Sequence, residues 1–311
     1  MDFKKLGDCN MLEMLDFCSK LANFRLNFKI VNYGTLFVIA TPIGNLNDIS
    51  NRALQTLKEV AIIACEDTRH SKNMLQHFGI QTPLTSLHSY NEEQASLKLI
   101  TKLQEGLDIG LISDAGTPLI SDPGFSLVQQ ALSYGIRVSP IAGPCAAIAA
   151  LSVAGISASS FIFEGFLPSK ALQRQQKLHL LKDEMRTLIF YEAPHRLLAT
   201  ITDLTTIFGG ERLATLGREI SKTFETILHS SLDDLLQQIQ IDRNQRRGEC
   251  VLIVAGNSNA NKNEELSAQD LATLRILLSE MPLKKAANLA AQISGKRKNL
   301  FYAAGLNIDK D

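Results

Sequence analysis

No two cysteines stand in C-x-x-C spacing: the five in the chain, Cys9, Cys18, Cys65, Cys145 and Cys250, are scattered and odd in number. That pattern excludes a disulfide framework and a zinc-finger-type site, and it suits a reducing cytoplasm. Net charge is also missing, because 32 basic side chains cancel 32 acidic ones. The body therefore lacks the bulk positive field that gathers nucleic acid, and any such partner has to meet a local patch. No apolar run approaches the roughly 20 residues needed to span a bilayer, so no membrane association is expected. The opening segment mixes Lys4, Lys5 and Arg25 with Asp2, Asp8, Glu13 and Asp16, which is no secretory signal. Neither G-x-G-x-x-G nor G-x-x-x-x-G-K-[ST] occurs, which argues against a dinucleotide fingerprint and a phosphate loop. What remains is an ordinary globular composition, 45% hydrophobic and 21% charged over 311 residues, enough for two domains and a small third piece.

Residues 1–33 read as an appendage, in which Leu12, Leu15, Leu21 and Phe24 suit one face of a short helix. Regular alternation then begins. Leu36 to Ala40 is a strand buried on both faces, a helical pattern starts at Ser50, Ala61 to Cys65 is the next strand, and a second helix runs to Phe78. Asn91 with Gln94 three residues on predicts a capping box opening a helix through Leu103, and Ile109 to Ile112 is another strand. This rhythm, over 34–143, predicts a parallel sheet with crossover helices that binds ligands outside its strand ends. A second α/β domain is expected over 144–256, restarting at Phe161 and closing on Cys250 to Val254. A polar linker over 257–266 leads to a small helical domain, 267–311. Leu271, Leu274, Leu277 and Leu278, then Ala286, Ala287, Leu289, Ala290 and Ile293, carry its helical spacing. Its Lys284, Lys285, Lys296, Arg297 and Lys298 form the densest basic cluster in the chain, either a solvated helix face or the local patch required above.

Several turns fall just after strands. The loop Thr41 to Asp48, with Pro42 and Gly44, admits close backbone approach to a ligand or is a plain tight turn. Ser113 to Pro118 and Ile120 to Gly124 make two sharp turns in succession, a pocket edge or a structural pair. Ala142-Gly143-Pro144 runs into an alanine-rich helix whose amino end can receive a carboxylate. Glu66, Asp67 and Arg69 leave the second strand either as catalytic groups or as a capped, salt-bridged helix start. Glu192, His195 and Arg196 form a second polar set, suited to phosphate and proton handling or to capping. Arg218 to Glu225 is a solvated loop or a nucleic-acid contact.

These motifs occur together and in order, with Cys65-Glu66-Asp67-Thr68-Arg69, Phe163 to Pro168 and Tyr191 to Arg196 among them. From about Gly34 to the end the chain resembles the ribosomal RNA small subunit methyltransferase I family, a branch of the tetrapyrrole methylase superfamily. Cys145 stands where that family commonly has a small hydroxyl residue. The resemblance implies two α/β domains holding a folded S-adenosylmethionine in the cleft between them, a small C-terminal helical domain, and a homodimer. It implies transfer of a methyl group to the ribose 2'-oxygen of a decoding-centre cytidine in 16S rRNA, within the small ribosomal subunit. Cofactor contacts are expected from Pro42, Gly44, Asp114, Ala115, Gly116, Thr117, Ser121, Asp122, Gly143, Pro144, Phe166 and Tyr191, with no metal. Catalysis is expected at Glu66, Asp67 and Arg69. RNA contacts are expected from Arg69, His195, Arg196, Lys284, Lys285, Lys296, Arg297 and Lys298. The competing readings are carbon methylation of a tetrapyrrole on the same scaffold, and a non-catalytic RNA-binding module for ribosome assembly.

Overall fold

The computed structural model describes residues 32–258 and 266–308. The helix expected around Leu12 to Phe24, and the centre of the expected linker, lie outside the described residues. The chain divides into two compact units, Met1–Cys145 and Ala146–Asp311.

In unit 1 strands and helices alternate: β1 (Leu36–Ile39), α1 (Asn51–Glu59), β2 (Ile62–Cys65), α2 (Thr68–His77), β3 (Leu84–Ser86), α3 (Glu92–Gln104), β4 (Ile109–Leu111), α4 (Phe125–Ser133) and β5 (Val138–Ile141). The five strands form one parallel sheet in the order β3-β2-β4-β1-β5. Both faces are covered, which is why the strands read as unbroken apolar runs. Ala53 and Leu57 of α1 and Leu75 of α2 pack with Ile39, Ile63 and Ile141 on one face. Leu99 and Leu103 of α3 and Leu127 and Ala131 of α4 pack with Leu36, Ile109 and Leu111 on the other. The chain leaves β1 toward β2 and β3, then returns through β4 to β5. The direction of winding thus reverses between the neighbours β1 and β4, and the crevice outside their carboxyl ends is where such sheets bind ligands.

The short strand β3 escaped the sequence reading, since three residues of intermediate burial carry almost no pattern. Asn91 precedes α3 without capping it through its side chain. Its amide is used in the preceding turn: Oδ1 accepts the His88 amide hydrogen at 2.8 Å and Nδ2 donates to the Ser86 carbonyl at 3.2 Å. The expected capping box is therefore absent at Asn91.

Unit 2 opens with α5 (Ala146–Val153), followed by β6 (Phe161–Phe166), α6 (Ala171–Leu181), β7 (Thr187–Glu192), α7 (Leu197–Phe208), β8 (Leu213–Arg218), β9 (Thr226–Ser231), α8 (Leu232–Ile241) and β10 (Cys250–Val254). The sheet order is β6-β7-β10-β8-β9, parallel only between β6 and β7. One face is sealed by Leu178, Ile201, Leu204, Leu235 and Ile239 from the three long helices over Leu188, Phe190 and Leu252. The hairpin β8–β9 was not legible as strands. The charged run Arg218 to Glu225, expected to be a solvated loop or an RNA contact, is its structured turn: Arg218 is buried and donates to the Phe224 carbonyl and the Thr226 hydroxyl, both at 2.9 Å.

Three further helices end the described chain: α9 (Ala268–Glu280), α10 (Leu283–Ser294) and α11 (Lys298–Ile308). A capping box between Ser267 and Asp270 opens α9. Left-handed Gly295 stops α10, and α11 begins at Lys298, which is helix-turn-helix spacing. Leu274, Ala286, Ala287, Ala290 and Phe301 form the core, and the small alanines let the helices approach closely. Leu289 and Ile293, expected to share that buried face, are exposed.

Candidate functional site

At the reversal point of unit 1 the loops after β1, β4 and β5 are stitched together by backbone. Thr41 and Gly116 exchange both amide hydrogen bonds, at 2.9 and 3.1 Å, and the fully buried Thr41 hydroxyl donates to the Ser113 carbonyl at 3.2 Å. Thr117 Oγ1 donates to the Pro144 carbonyl at 2.9 Å. The Thr41 to Asp48 loop, the Ser113 to Pro118 turn and the Ala142 to Pro144 turn thus form one wall. Pro42 is buried in it, while Gly44, Ala115 and Gly143 present their backbone to solvent. Glycine is required where chains nearly touch: a Cβ on Gly143 would lie 2.9 Å from that of Ala40.

The second turn carries strain. Leu119 and Ser121 are held left-handed at φ 70° and 74° without being glycine, at a cost of about 1–2 kcal/mol each. Such conformations persist where surrounding structure imposes them, and here they set Ser121 and Asp122 on the crevice loop.

Around this wall lie Glu66, Asp67, Asp114 and Asp122. The Asp67 amide donates to Asp114 Oδ1 at 3.3 Å, joining the exits of β2 and β4. Burial pushes the Asp122 carboxyl up to about 6, with Glu66 and Asp114 adding to the rise and the Ser113 hydroxyl opposing it. Glu66 is raised too, first by burial and then by Asp114, with His88 acting against the rise. No lysine or arginine contributes to either shift, so this crevice has an excess of negative charge. A positively charged ligand would relieve it.

Asp67 and Arg69 take the arrangement of a capped helix start. Asp67 accepts the Arg69 amide hydrogen at 2.8 Å and pairs with its guanidinium at 2.9 Å, and these hydrogen bonds hold its carboxyl at about 2. The Arg69 side chain is nonetheless 90% exposed, so it can meet a second anion.

In unit 2, Tyr191 lies edge-on to Phe163 and Phe166 at centroid separations of 4.9 and 5.7 Å, and its hydroxyl accepts the Ala147 amide hydrogen at 3.2 Å. Phe166 is exposed at this aromatic group's edge. Beyond Tyr191, the buried Glu192 accepts from the Ala193 amide at 2.8 Å and from the Thr200 hydroxyl at 2.5 Å. Arg196 faces it: Nε lies 3.1 Å from Oε1 without hydrogen-bond alignment, while Nη2 donates to Glu192 Oε2 at 3.4 Å and to the Leu167 carbonyl. His195 is exposed beside this set. In the terminal helices Lys284, Lys285 and Arg297 are exposed, Lys298 is half-buried, and Lys296 pairs with Asp270 at 2.6 Å.

Among the described residues no cluster of three His, Cys, Asp or Glu could hold a metal ion, and no helix is long and apolar enough to cross a membrane.

The family profile of the tetrapyrrole (corrin/porphyrin) methylases matches residues 35–236. The chain belongs to the tetrapyrrole methylase family. A second profile, the RsmI C-terminal HTH domain, matches residues 264–309. Within the family the chain is 58% identical over 273 residues to ribosomal RNA small subunit methyltransferase I of Pseudomonas aeruginosa, covering 88% of this chain and 97% of that one. It is 50% identical to the protein of the same name from Escherichia coli O157:H7, covering 88% and 95%. Among solved structures, diphthine synthase aligns with TM-score 0.54 at 14% identity, over 71% of this chain and 90% of that one. Uroporphyrin-III-C-methyltransferase from Thermus thermophilus aligns at 0.50 and 18%, over 71% and 94%. Those likenesses establish the α/β fold alone. As in the rest of the family, the methyl donor is S-adenosylmethionine.

The fold brings together Glu66, Asp114 and Asp122, and it places Thr41 and Ser113, named above only as members of their turns, at the centre of the wall; His88 has no signal in the sequence. Thr41 and Ser113 lie 72 residues apart, so their pairing leaves no local signal.

Proposed function

We propose that this methyltransferase moves a methyl group from S-adenosylmethionine to the ribose 2'-oxygen of a cytidine in the decoding centre of 16S rRNA, acting on the small ribosomal subunit in the cytoplasm as a homodimer. The observation that carries this reading is the 58% identity along nearly the whole of a relative named for small-subunit ribosomal RNA methylation, with the C-terminal helix-turn-helix included in the match.

Cofactor contacts in unit 1 are assigned to Pro42, Gly44, Asp114 to Thr117, Ser121, Asp122, Gly143 and Pro144, where exposed backbone and carboxylates meet. In unit 2 they are assigned to Phe166 and Tyr191. When bound, the cofactor supplies a methyl group already activated on a sulfonium. The protein's remaining tasks are to align the ribose hydroxyl and accept its proton. Glu66 is suited to the second: burial and the neighbouring Asp114 raise its pKa, which makes it a stronger base than an ordinary carboxylate. Asp67 fixes Arg69, whose exposed guanidinium meets an RNA phosphate beside the reacting ribose. His195 and the terminal-domain residues Lys284, Lys285, Lys296, Arg297 and Lys298 extend the RNA contacts. Arg196 supports its strand end through Glu192 and reaches RNA only with whatever donor capacity that leaves.

The test is incubation with labelled S-adenosylmethionine and either small subunits, naked rRNA or a tetrapyrrole precursor, followed by mapping of ribose methylation through resistance to alkaline cleavage. Label at a single cytidine is expected. Label appearing only in the tetrapyrrole would overturn the reading.

A further inference from the structure

Two features near Glu66 extend beyond the single phosphate contact assigned to Arg69. The first is a groove of ≈ 760 Å³ beside α2, with Leu75 and Ile80 at its floor. Its ionisable lining consists of Arg69 and Lys72, three residues apart on the helix, with Gln76 one further turn along. No carboxylate lines it, although Asp67 holds Arg69 from one side. The groove begins at Thr68 and Arg69, just past Glu66, and reaches the edge strand β3 at Leu84.

The second is Tyr90, 97% exposed, more than any other large apolar or aromatic side chain described. It does not sit on a loose loop. Leu87 is buried and its amide donates to the Cys65 carbonyl at 2.8 Å, the Asn91 side chain spans the turn from His88 to Ser86, and the Asn91 amide closes it on the His88 carbonyl at 2.9 Å. The His88 ring lies 6.1 Å from that of Tyr90 and close enough to Glu66 to lower its pKa. Its Nδ1 is buried without a hydrogen-bond partner. A fixed turn that holds an aromatic ring in water, beside an unsatisfied imidazole nitrogen, is poorly explained by folding alone.

The groove reaches β3 and Tyr90 stands in the turn that follows that strand, and cations that track a backbone with a ring that stacks a base are how proteins hold single-stranded nucleic acid. We infer that the β2–β3 edge of unit 1 is a single-stranded RNA subsite. The phosphodiester backbone flanking the target nucleotide lies along Arg69 and Lys72, and a neighbouring base stacks on Tyr90. This inference rests on the rRNA reading and adds the segment of strand that the catalytic edge holds.

The experiment compares wild type, Lys72→Glu, Tyr90→Ala and Tyr90→Phe, each with intact small subunits and S-adenosylmethionine, and measures KM for the subunit, kcat, cofactor affinity by calorimetry and thermal melting. Stacking of one base predicts that Tyr90→Ala raises KM about five- to a hundredfold, with Tyr90→Phe close to wild type. Lys72→Glu is expected to raise KM about tenfold and to flatten the salt dependence of binding by roughly one phosphate contact. Cofactor affinity, melting temperature and kcat at saturation stay at wild-type values. A wild-type KM in either Lys72→Glu or Tyr90→Ala overturns the inference, as does a Tyr90→Phe variant as impaired as Tyr90→Ala. If wild type itself fails to label rRNA, it is the underlying functional reading that falls.

Discussion

Glu92 reaches from the first turn of α3 to the loop before α4, where one carboxylate oxygen accepts the amide hydrogen of Gly124 at 3.0 Å and that of Ser126 at 2.8 Å. The α4 amino end has no side-chain cap of its own, because Gly124 occupies the capping position at φ 122°. A residue 32 positions away supplies the cap and fixes the turn carrying Ser121 and Asp122. Glu92→Ala should cost about 1–2 kcal/mol of stability, measured by denaturant melting, and weaken S-adenosylmethionine binding by calorimetry. Glu92→Gln, which keeps an acceptor, should lose less. Equal stability of Glu92→Ala and wild type would show that the cap carries no weight.

Asp122 makes stability depend on pH. Its folded pKa of about 6 lies above the ordinary 3.8, so the folded state holds this proton more tightly than the unfolded chain. The stabilisation is complete below pH 3.8 and is lost as pH rises through about 6. Asp122→Asn does not ionise, so its melting temperature should gain on wild type between pH 4 and 7. The gain corresponds to about 1–2 kcal/mol after allowance for solvent screening. Cofactor affinity should move the opposite way, tightening in wild type as Asp122 ionises beside a cation and staying flat in Asp122→Asn. Calorimetry at pH 5 and pH 7 separates the two.

Arg196 answers the buried Glu192. Removing it with Arg196→Met strands a carboxylate that retains only the Thr200 hydroxyl and the Ala193 amide. A loss of about 3–5 kcal/mol in folding stability is expected, because an unpaired buried charge is costly. Glu192→Gln combined with Arg196→Met should recover much of it. If Arg196→Met melts like wild type and loses only RNA affinity, the guanidinium serves RNA before the fold.

In the terminal helices the lysines should divide by their surroundings. The double variant Lys284→Glu, Lys285→Glu should bind small subunits more weakly and lower the salt slope by about one per lost phosphate contact, with unchanged melting. Lys296→Ala should instead loosen the start of α9, because Lys296 with Ser267 keeps the Asp270 carboxyl at about 2. Filter binding over a salt series, set beside thermal melting, distinguishes these behaviours.

Apolar runs and helical spacing were enough to predict the parallel sheet of unit 1 and the carboxyl ends where its ligand loops lie, because strands buried on both faces leave an unbroken signature. They also marked the restart at Phe161 and the terminal helices. Shorter or half-buried elements left no such trace. Three-residue β3 and the β8–β9 hairpin mix polar and apolar side chains, and Asn91, locally a helix cap, gives its amide to the turn behind it. Among candidate site residues, Glu66 was legible as a carboxylate at a strand exit, while Asp114 and Asp122 were legible as parts of two turns.

Composition and local pattern thus determined which segments become strands and which turns follow them, since both depend on neighbours within a few residues. Tertiary structure alone decided that Thr41 would lock onto Gly116, that Glu92 would cap a helix not its own, and that Glu66 and Asp122 would share a charge-rich crevice. Those outcomes depend on the order in which strands enter the sheet. That order is set by the packing of two helical layers on opposite faces, and it brings together side chains that no sequence window contains.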